Sequence, residues 1–82
     1  MNLIVLTPEK EIYQGQITSV KVPGISGQFE ILNNHAPIVA ALGQGDVRIL
    51  DAKGDKKIFT IKKGFIEVLK NEVSLLVQGV KE

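Results

Sequence analysis

Phe65-Ile66-Glu67-Val68-Leu69-Lys70-Asn71-Glu72-Val73-Ser74-Leu75-Leu76-Val77, residues 65–77, sets two short alternating apolar runs on either side of a polar three-residue break. Neither run has the three-to-four-residue spacing of an amphipathic helix, and each has the length of a strand. The same pattern continues upstream. Lys57–Lys62 alternates Phe59 and Ile61 against Lys57 and Lys62, and both Phe59 and Phe65 fit core positions. Asp46–Leu50 puts Val47 and Ile49 on one face, and Gln28–Leu32 does so with Phe29 and Ile31. Ile38–Leu42 is apolar throughout and reads as a strand buried on both sides.

Toward the start, Leu3–Thr7 is a short apolar run that stops at Pro8, and Ile12–Tyr13 precedes Gly15. Gln16–Val22 carries Ile17, Val20 and Val22. The step from Ile17 to Val20 breaks strict alternation and predicts a bulge or twist there. Turn residues punctuate these runs at Gly24 to Gly27, Asn33-Asn34, Gly43-Gln44-Gly45, Lys53-Gly54-Asp55 and Lys63-Gly64. Composition agrees, with 22 Val, Ile and Thr residues against four Ala. The reading is one all-β domain over residues 1–82, of about eight to ten short strands in a sandwich or barrel. Pairing is expected to be antiparallel, because no connection is long enough for a crossover helix. Gly79 to Glu82 is expected to fray.

The chemistry-bearing residues exclude most catalytic classes. The 82 residues hold no cysteine and one histidine, so thiol catalysis and thiolate metal sites are absent, and no carboxylate spacing completes a zinc site around His35. Ser19, Ser26 and Ser74 lie outside any nucleophile elbow. Pro23-Gly24-Ile25-Ser26-Gly27 resembles a phosphate loop, but a strand follows it and no Lys-Ser/Thr pair closes it. The glycines read as a loop requiring positive φ. No cofactor is expected. Lysines 53, 56, 57, 62 and 63 cluster around Gly54, yet the aromatics that a nucleic-acid face would stack are missing. Lysines at hairpin tips commonly protect open sheets from aggregation. Net charge is +1, split into −2 over residues 1–52 and +3 over 53–82. The start, Met1-Asn2-Leu3, shows no signal-peptide pattern, and the longest apolar run, Leu3 to Leu6, is too short to span a bilayer. On residues alone Asn33-Asn34-His35-Ala36-Pro37 is a turn, with Pro37 holding Ala36 extended.

The stretch from Gly24-Ile25-Ser26-Gly27-Gln28-Phe29-Glu30-Ile31 through Asn33-Asn34-His35-Ala36-Pro37 resembles the signature of the ATP synthase epsilon subunit family. That signature runs Gly-x-x-Gly-Glu-Leu-Gly-Ile and then Pro-Gly-His-Ala-Pro. Further collinear matches are Leu3-Ile4-Val5-Leu6-Thr7-Pro8-Glu9, Gln44-Gly45, Val47-Arg48-Ile49 and Lys63-Gly64-Phe65-Ile66-Glu67-Val68, which together cover nearly the whole chain. Glu30 stands where the family has glycine, Asn33-Asn34 replaces Pro-Gly, Lys63 replaces the first of two glycines, and Gln28 replaces glutamate. Asparagine tolerates left-handed backbone, so Asn34 is a physically sensible substitute.

The resemblance implies a flattened antiparallel β-sandwich of about ten strands. It also implies a non-catalytic rotor subunit beside gamma and above the c ring, coupling proton flow to ATP synthesis. By resemblance Thr7 and His35 face gamma, while Ser26, Gly27, Gln28 and Glu30 face the loops of the c ring. The partners implied are gamma and the c ring, with no nucleic acid. Membrane association is expected only through the complex, on the cytoplasmic face of a bacterial inner membrane. Family members usually add a C-terminal helical hairpin that carries ATP binding and inhibitory insertion, so residues 1–82 by themselves are expected to show neither. Two other classes fit the fold: a small carbohydrate- or ligand-binding sandwich and a nucleic-acid-binding barrel. Three Phe, one Tyr and no Trp argue against both.

Overall fold

The computed structural model describes residues 1–81, and every regular element among them is a strand. The chain enters on β1 (Asn2–Leu6), turns at Pro8 and continues into β2 (Glu11–Gly24), fourteen residues long. The first half of β2 pairs antiparallel with β1, from Asn2 opposite Gln16 to Leu6 opposite Glu11. Its second half pairs with β3 (Gly27–Leu32) on one side and β5 (Gly45–Asp51) on the other. Between the halves the register shifts at Ile17–Ser19, which is the bulge that the Ile17–Val20 spacing predicts. The bulge re-phases the strand, so that Ile17, Val20 and Val22 all point inward.

Two layers follow from these pairings. One holds β3, the second half of β2, β5 and β6 (Lys56–Ile61). The other holds the first half of β2, β1, β8 (Glu72–Gln78), β7 (Lys63–Leu69) and β4 (Ile38–Leu42). Gly24 opposite Leu42 joins the layers again at the far corner. Leu3, Val5, Ile66, Val68 and Leu75 share one buried cluster with Val20, Ile31, Val47, Phe59 and Ile61. Each such side chain contributes about 1.5–3 kcal/mol when fully buried. The turn from β5 to β6 is organised by Asp51, whose Oδ1 accepts the N–H groups of Lys53 and Asp55, each at 2.9 Å.

The all-β sandwich expected from the sequence is present, with differences of detail. The described residues form eight strands, within the eight to ten read from the runs and fewer than the ten or so that the resemblance implies, because Gly15 stays extended opposite Leu3 and fuses Ile12–Tyr13 with Gln16–Val22. β1 and β8 pair in parallel. A short connection forbids this only between consecutive strands, and these two are separated by most of the chain. β4 is not buried on both faces, since Val39 is 72% exposed. Phe65 is 58% exposed rather than in the core, because Gly64, Ile66 and Val68 take the inward phase of β7. The expected fraying at the end does not reach Lys81. Thr60 and Lys81 exchange backbone hydrogen bonds at 2.8 Å and cover the edge of β6, while Glu82 lies outside the described residues.

Of the two loop glycines expected to need positive φ, Gly27 does (φ 134°) and Gly24 does not. Gly24 is constrained by crowding instead. A Cβ there would sit 2.6 Å from the carbonyl oxygen of Gly27 and 2.7 Å from the Phe29 ring. Gly24→Ala is therefore expected to cost about 1–3 kcal/mol by overpacking, and Gly27→Ala about 1 kcal/mol by backbone strain alone. Urea titration of both variants checks the order, and a Gly24→Ala chain as stable as the parent contradicts the β2–β3 geometry.

Candidate protein-interaction face

Because β1, β8, β7 and β4 are in lateral register, their outward residues form rows across the layer. Leu6 stands beside Leu76, Leu76 beside Phe65, and Phe65 beside Ala41. Ile25 extends this row, since its N–H donates to the Ala41 carbonyl at 3.1 Å. Ile25, Phe65 and Leu76 are all more than half exposed. The next row along the strands reads Ile4, Ser74, Glu67 and Val39, and the one beyond it begins Asn2, Glu72, Leu69. The face thus grades from an apolar row at one end to a mixed surface at the other. At the apolar end a shallow concavity of about 600 Å³ is lined by Leu6, Thr7, Pro8, Ile25, Phe65 and Leu76, with Lys63 at its side. A contiguous exposed apolar surface rimmed by polar groups is characteristic of docking sites.

Thr7 forms part of that wall, and its hydroxyl is already engaged. Oγ1 donates to the Lys10 carbonyl at 3.1 Å and accepts the N–H groups of Glu9 and Lys10 at 3.3 and 3.1 Å. A hydroxyl has one donor and two acceptor sites, so this one is saturated. Its work is to hold the turn into β2, and what it presents outward is shape.

Ser26, Gly27, Gln28 and Glu30 are all exposed on the β2–β3 hairpin. Gly24 pairs with Gly27 and Pro23 with Gln28, so Ile25-Ser26 is a two-residue tip. Glu30 lies opposite Lys21 across the strands. The tip sits at the Leu42 end of β4, beside Ile25 and the apolar row.

His35 lies at the other end of β4. Its N–H donates to the Leu32 carbonyl at 3.1 Å, closing the turn through Asn33 and Asn34, with Asn34 at φ 64°. Its Nδ1 is 2.7 Å from the Ala36 carbonyl oxygen. A carbonyl only accepts, so Nδ1 carries the proton and Nε2 is left as an acceptor in the neutral ring. β4 runs between the two ends, about 13 Å at strand rise. The structure therefore brings Thr7 together with the hairpin tip and separates it from His35.

The residues that sequence reasoning passed over are Ile25, Phe65 and Leu76. The signal for Phe65 was Glu67 two positions on, since residues i and i+2 share a face and the charge marks it as outward. No group of three or more His, Cys, Asp or Glu residues able to hold a metal occurs among the described residues. Burial raises the Tyr13 phenol above its ordinary value, Asp51 adds to this, and Lys57 opposes it. The hydroxyl stays protonated at neutral pH and supplies no nucleophile.

A family model for the beta-sandwich domain of the ATP synthase delta/epsilon chain matches residues 1–82. The chain belongs to this family. Among its relatives, the ATP synthase epsilon chain of Leptospira borgpetersenii is 49% identical over 77 residues, covering 93% of this chain and 59% of the relative. That of Chlorobium limicola is 41% identical over 78 residues, covering 95% and 89%. The chain thus spans about three-fifths of the Leptospira relative and most of the Chlorobium one. Two solved ATP synthases contain chains of the same fold. One is from the Euglena gracilis mitochondrial OSCP/F1/c-ring assembly, with TM-score 0.90 at 20% identity over 96% of this chain and 51% of that one. The other is from the Tetrahymena thermophila central stalk and c ring, with TM-score 0.82 at 19% identity over 100% and 66%. The resemblance of the Gly24–Pro37 stretch to the epsilon family is borne out.

For this epsilon-type domain the outward phase of β7 carries a direct test. Phe65→Ser should change unfolding free energy by less than about 1 kcal/mol, the scale of a cross-strand pair. It should also reduce binding of a hydrophobic dye to the folded chain. A loss several times larger, as for a truncated core aromatic at about 3–5 kcal/mol, would place Phe65 inside.

Proposed function

We propose that this chain is a non-catalytic rotor part of a proton-translocating ATP synthase, docked on the gamma subunit and standing over the c ring. The observation that supports this most is the apolar row Leu6–Leu76–Phe65–Ala41–Ile25, presented by a chain of the epsilon family. Transmitting torque demands a body that does not deform and an interface that does not slip. A sandwich packed to crystal-like density meets the first demand. A desolvated apolar strip with a polar rim meets the second, because binding energy concentrates in a few central residues.

A gamma subunit lying along the β1–β8–β7–β4 layer would cover the apolar row and Thr7 at one end of the layer and reach the His35 turn at the other. The exposed Ser26–Glu30 hairpin edge then faces the polar loops of the c ring. Gln28 offers an uncharged amide there and Glu30 a carboxylate. The c-ring contact and the position on the cytoplasmic face of a bacterial membrane belong to the same proposal. No helix among the described residues is long and apolar enough to cross a membrane; membrane association through the partners is part of the same proposal.

Two measurements on one variant test the gamma side. His35→Ala should weaken gamma binding by about 1–2 kcal/mol, the value of one well-placed hydrogen bond, and should lower the stability of the free chain by less than that. A sharp fall in stability with unchanged affinity of the folded fraction would make His35 a turn residue only. On the c-ring side, Gln28→Trp should leave the fold intact and impair ATP-driven proton pumping by the reassembled enzyme. Normal pumping would remove Gln28 from the contact.

A further inference from the structure

Three asparagines tie the His35 turn to a hairpin tip far away in sequence. Asn71 Oδ1 accepts the N–H of Asn34 at 2.8 Å, and Asn71 Nδ2 donates to Asn33 Oδ1 at 2.8 Å. One side-chain amide therefore grips both central residues of the turn that His35 closes. Each of its two functional atoms serves a different residue, so the grip fixes orientation as well as distance.

The anchor of this grip is rigid. Lys70 and Asn71 have φ 51° and 65° and join Leu69 and Glu72, which pair across the β7–β8 hairpin. Two consecutive left-handed residues between paired strands make the tight hairpin turn whose twist matches its strands. The Asn71 carbonyl also accepts the N–H of Asn2 at 3.1 Å, which fastens the tip to the start of β1. The gripped turn has less support of its own. Asn34 is left-handed and exposed, and Ala36 and Pro37 beyond it are exposed as well. Without Asn71 the Asn34 N–H has no protein acceptor among the hydrogen bonds of the described residues, and the backbone of the turn is closed by the His35–Leu32 bond alone.

We propose that Asn71 is a positioning residue that holds the 33–35 turn so that His35 meets the gamma subunit in one orientation. This rests on the docking reading above, in which His35 lies at that interface. Asn71 acts through His35 and touches no partner in this role. Substitutions at Asn71 should therefore change affinity only while His35 is present.

The test uses the whole chain and purified gamma subunit. Asn71→Gly removes the amide while tolerating the left-handed backbone, so the hairpin is retained. Asn71→Asp keeps the acceptor for Asn34, and the Asn33 amide can turn to donate to the second oxygen. Amide exchange read by NMR should speed up at least tenfold at Asn34 in Asn71→Gly, with Ile66 and Leu75 unchanged. Gamma affinity should fall about fivefold in Asn71→Gly and less than twofold in Asn71→Asp. In a His35→Ala background, Asn71→Gly should add no further loss. If Asn34 exchange is unchanged, the grip is not a constraint and the proposal is wrong. If His35→Ala weakens binding while Asn71→Gly does not, or if the two losses simply add, the proposal fails and the docking reading stands. If His35→Ala leaves affinity unchanged, the placement of His35 at the gamma interface and this proposal fall together.

Discussion

The fold depends on one strand serving two layers. β2 hydrogen-bonds to β1 along its first half and to β3 and β5 along its second, and the bulge at Ile17–Ser19 makes the transfer possible. Without the added residue, alternation would carry Val20 and Val22 to the outer face. With it, both layers bury their apolar residues in one core. The far end of β2 has a second consequence. Gly24 opposite Leu42 brings the β2–β3 tip against β4, which puts Ile25 at the end of the row begun by Leu6. The outward apolar surface is therefore fixed by the same pairing that closes the core.

Much of this was legible in the sequence because it is local. Alternation in residues 46–50 and 73–77 gives the correct inward residues, and Asn33-Asn34 and Lys70-Asn71 are turns with left-handed residues, as their composition requires. The bulge can be read from a single displaced spacing. What sequence did not yield is non-local. The parallel β1–β8 pair joins residues about seventy positions apart, and no local pattern records it. The separation of Thr7 from His35 likewise depends on which strand ends meet. Phe65 is a different kind of miss. Hydrophobicity argued for the core, but the phase of β7 is set by Ile66, Val68 and the close approach of Gly64 to the Leu76 carbonyl.

The candidate site divides into surface that is apolar and surface that is held. Ile25, Phe65 and Leu76 offer area that gains from leaving water. Thr7 and Asn71 contribute by holding backbone, since their polar atoms are occupied within the chain. Under the proposed docking, such a division would suit a part that passes force between partners. Association is driven where the surface is apolar, and orientation is set where turns are braced. Arg48 beside Asp46 at 3.8 Å lies on the outward face of the other layer, where an ion pair adds little.

The central claim is that a partner covers the β1–β8–β7–β4 layer at its apolar row. Amide hydrogen exchange of the chain, with and without the gamma subunit, tests it most directly. The account predicts added protection in the turn from Thr7 to Lys10, in the tip around Ile25, and in the turn through Asn34 and His35, with the tip between β5 and β6 unaffected. Protection confined to the β5–β6 tip, with the apolar row and the His35 turn exchanging as in the free chain, would contradict it.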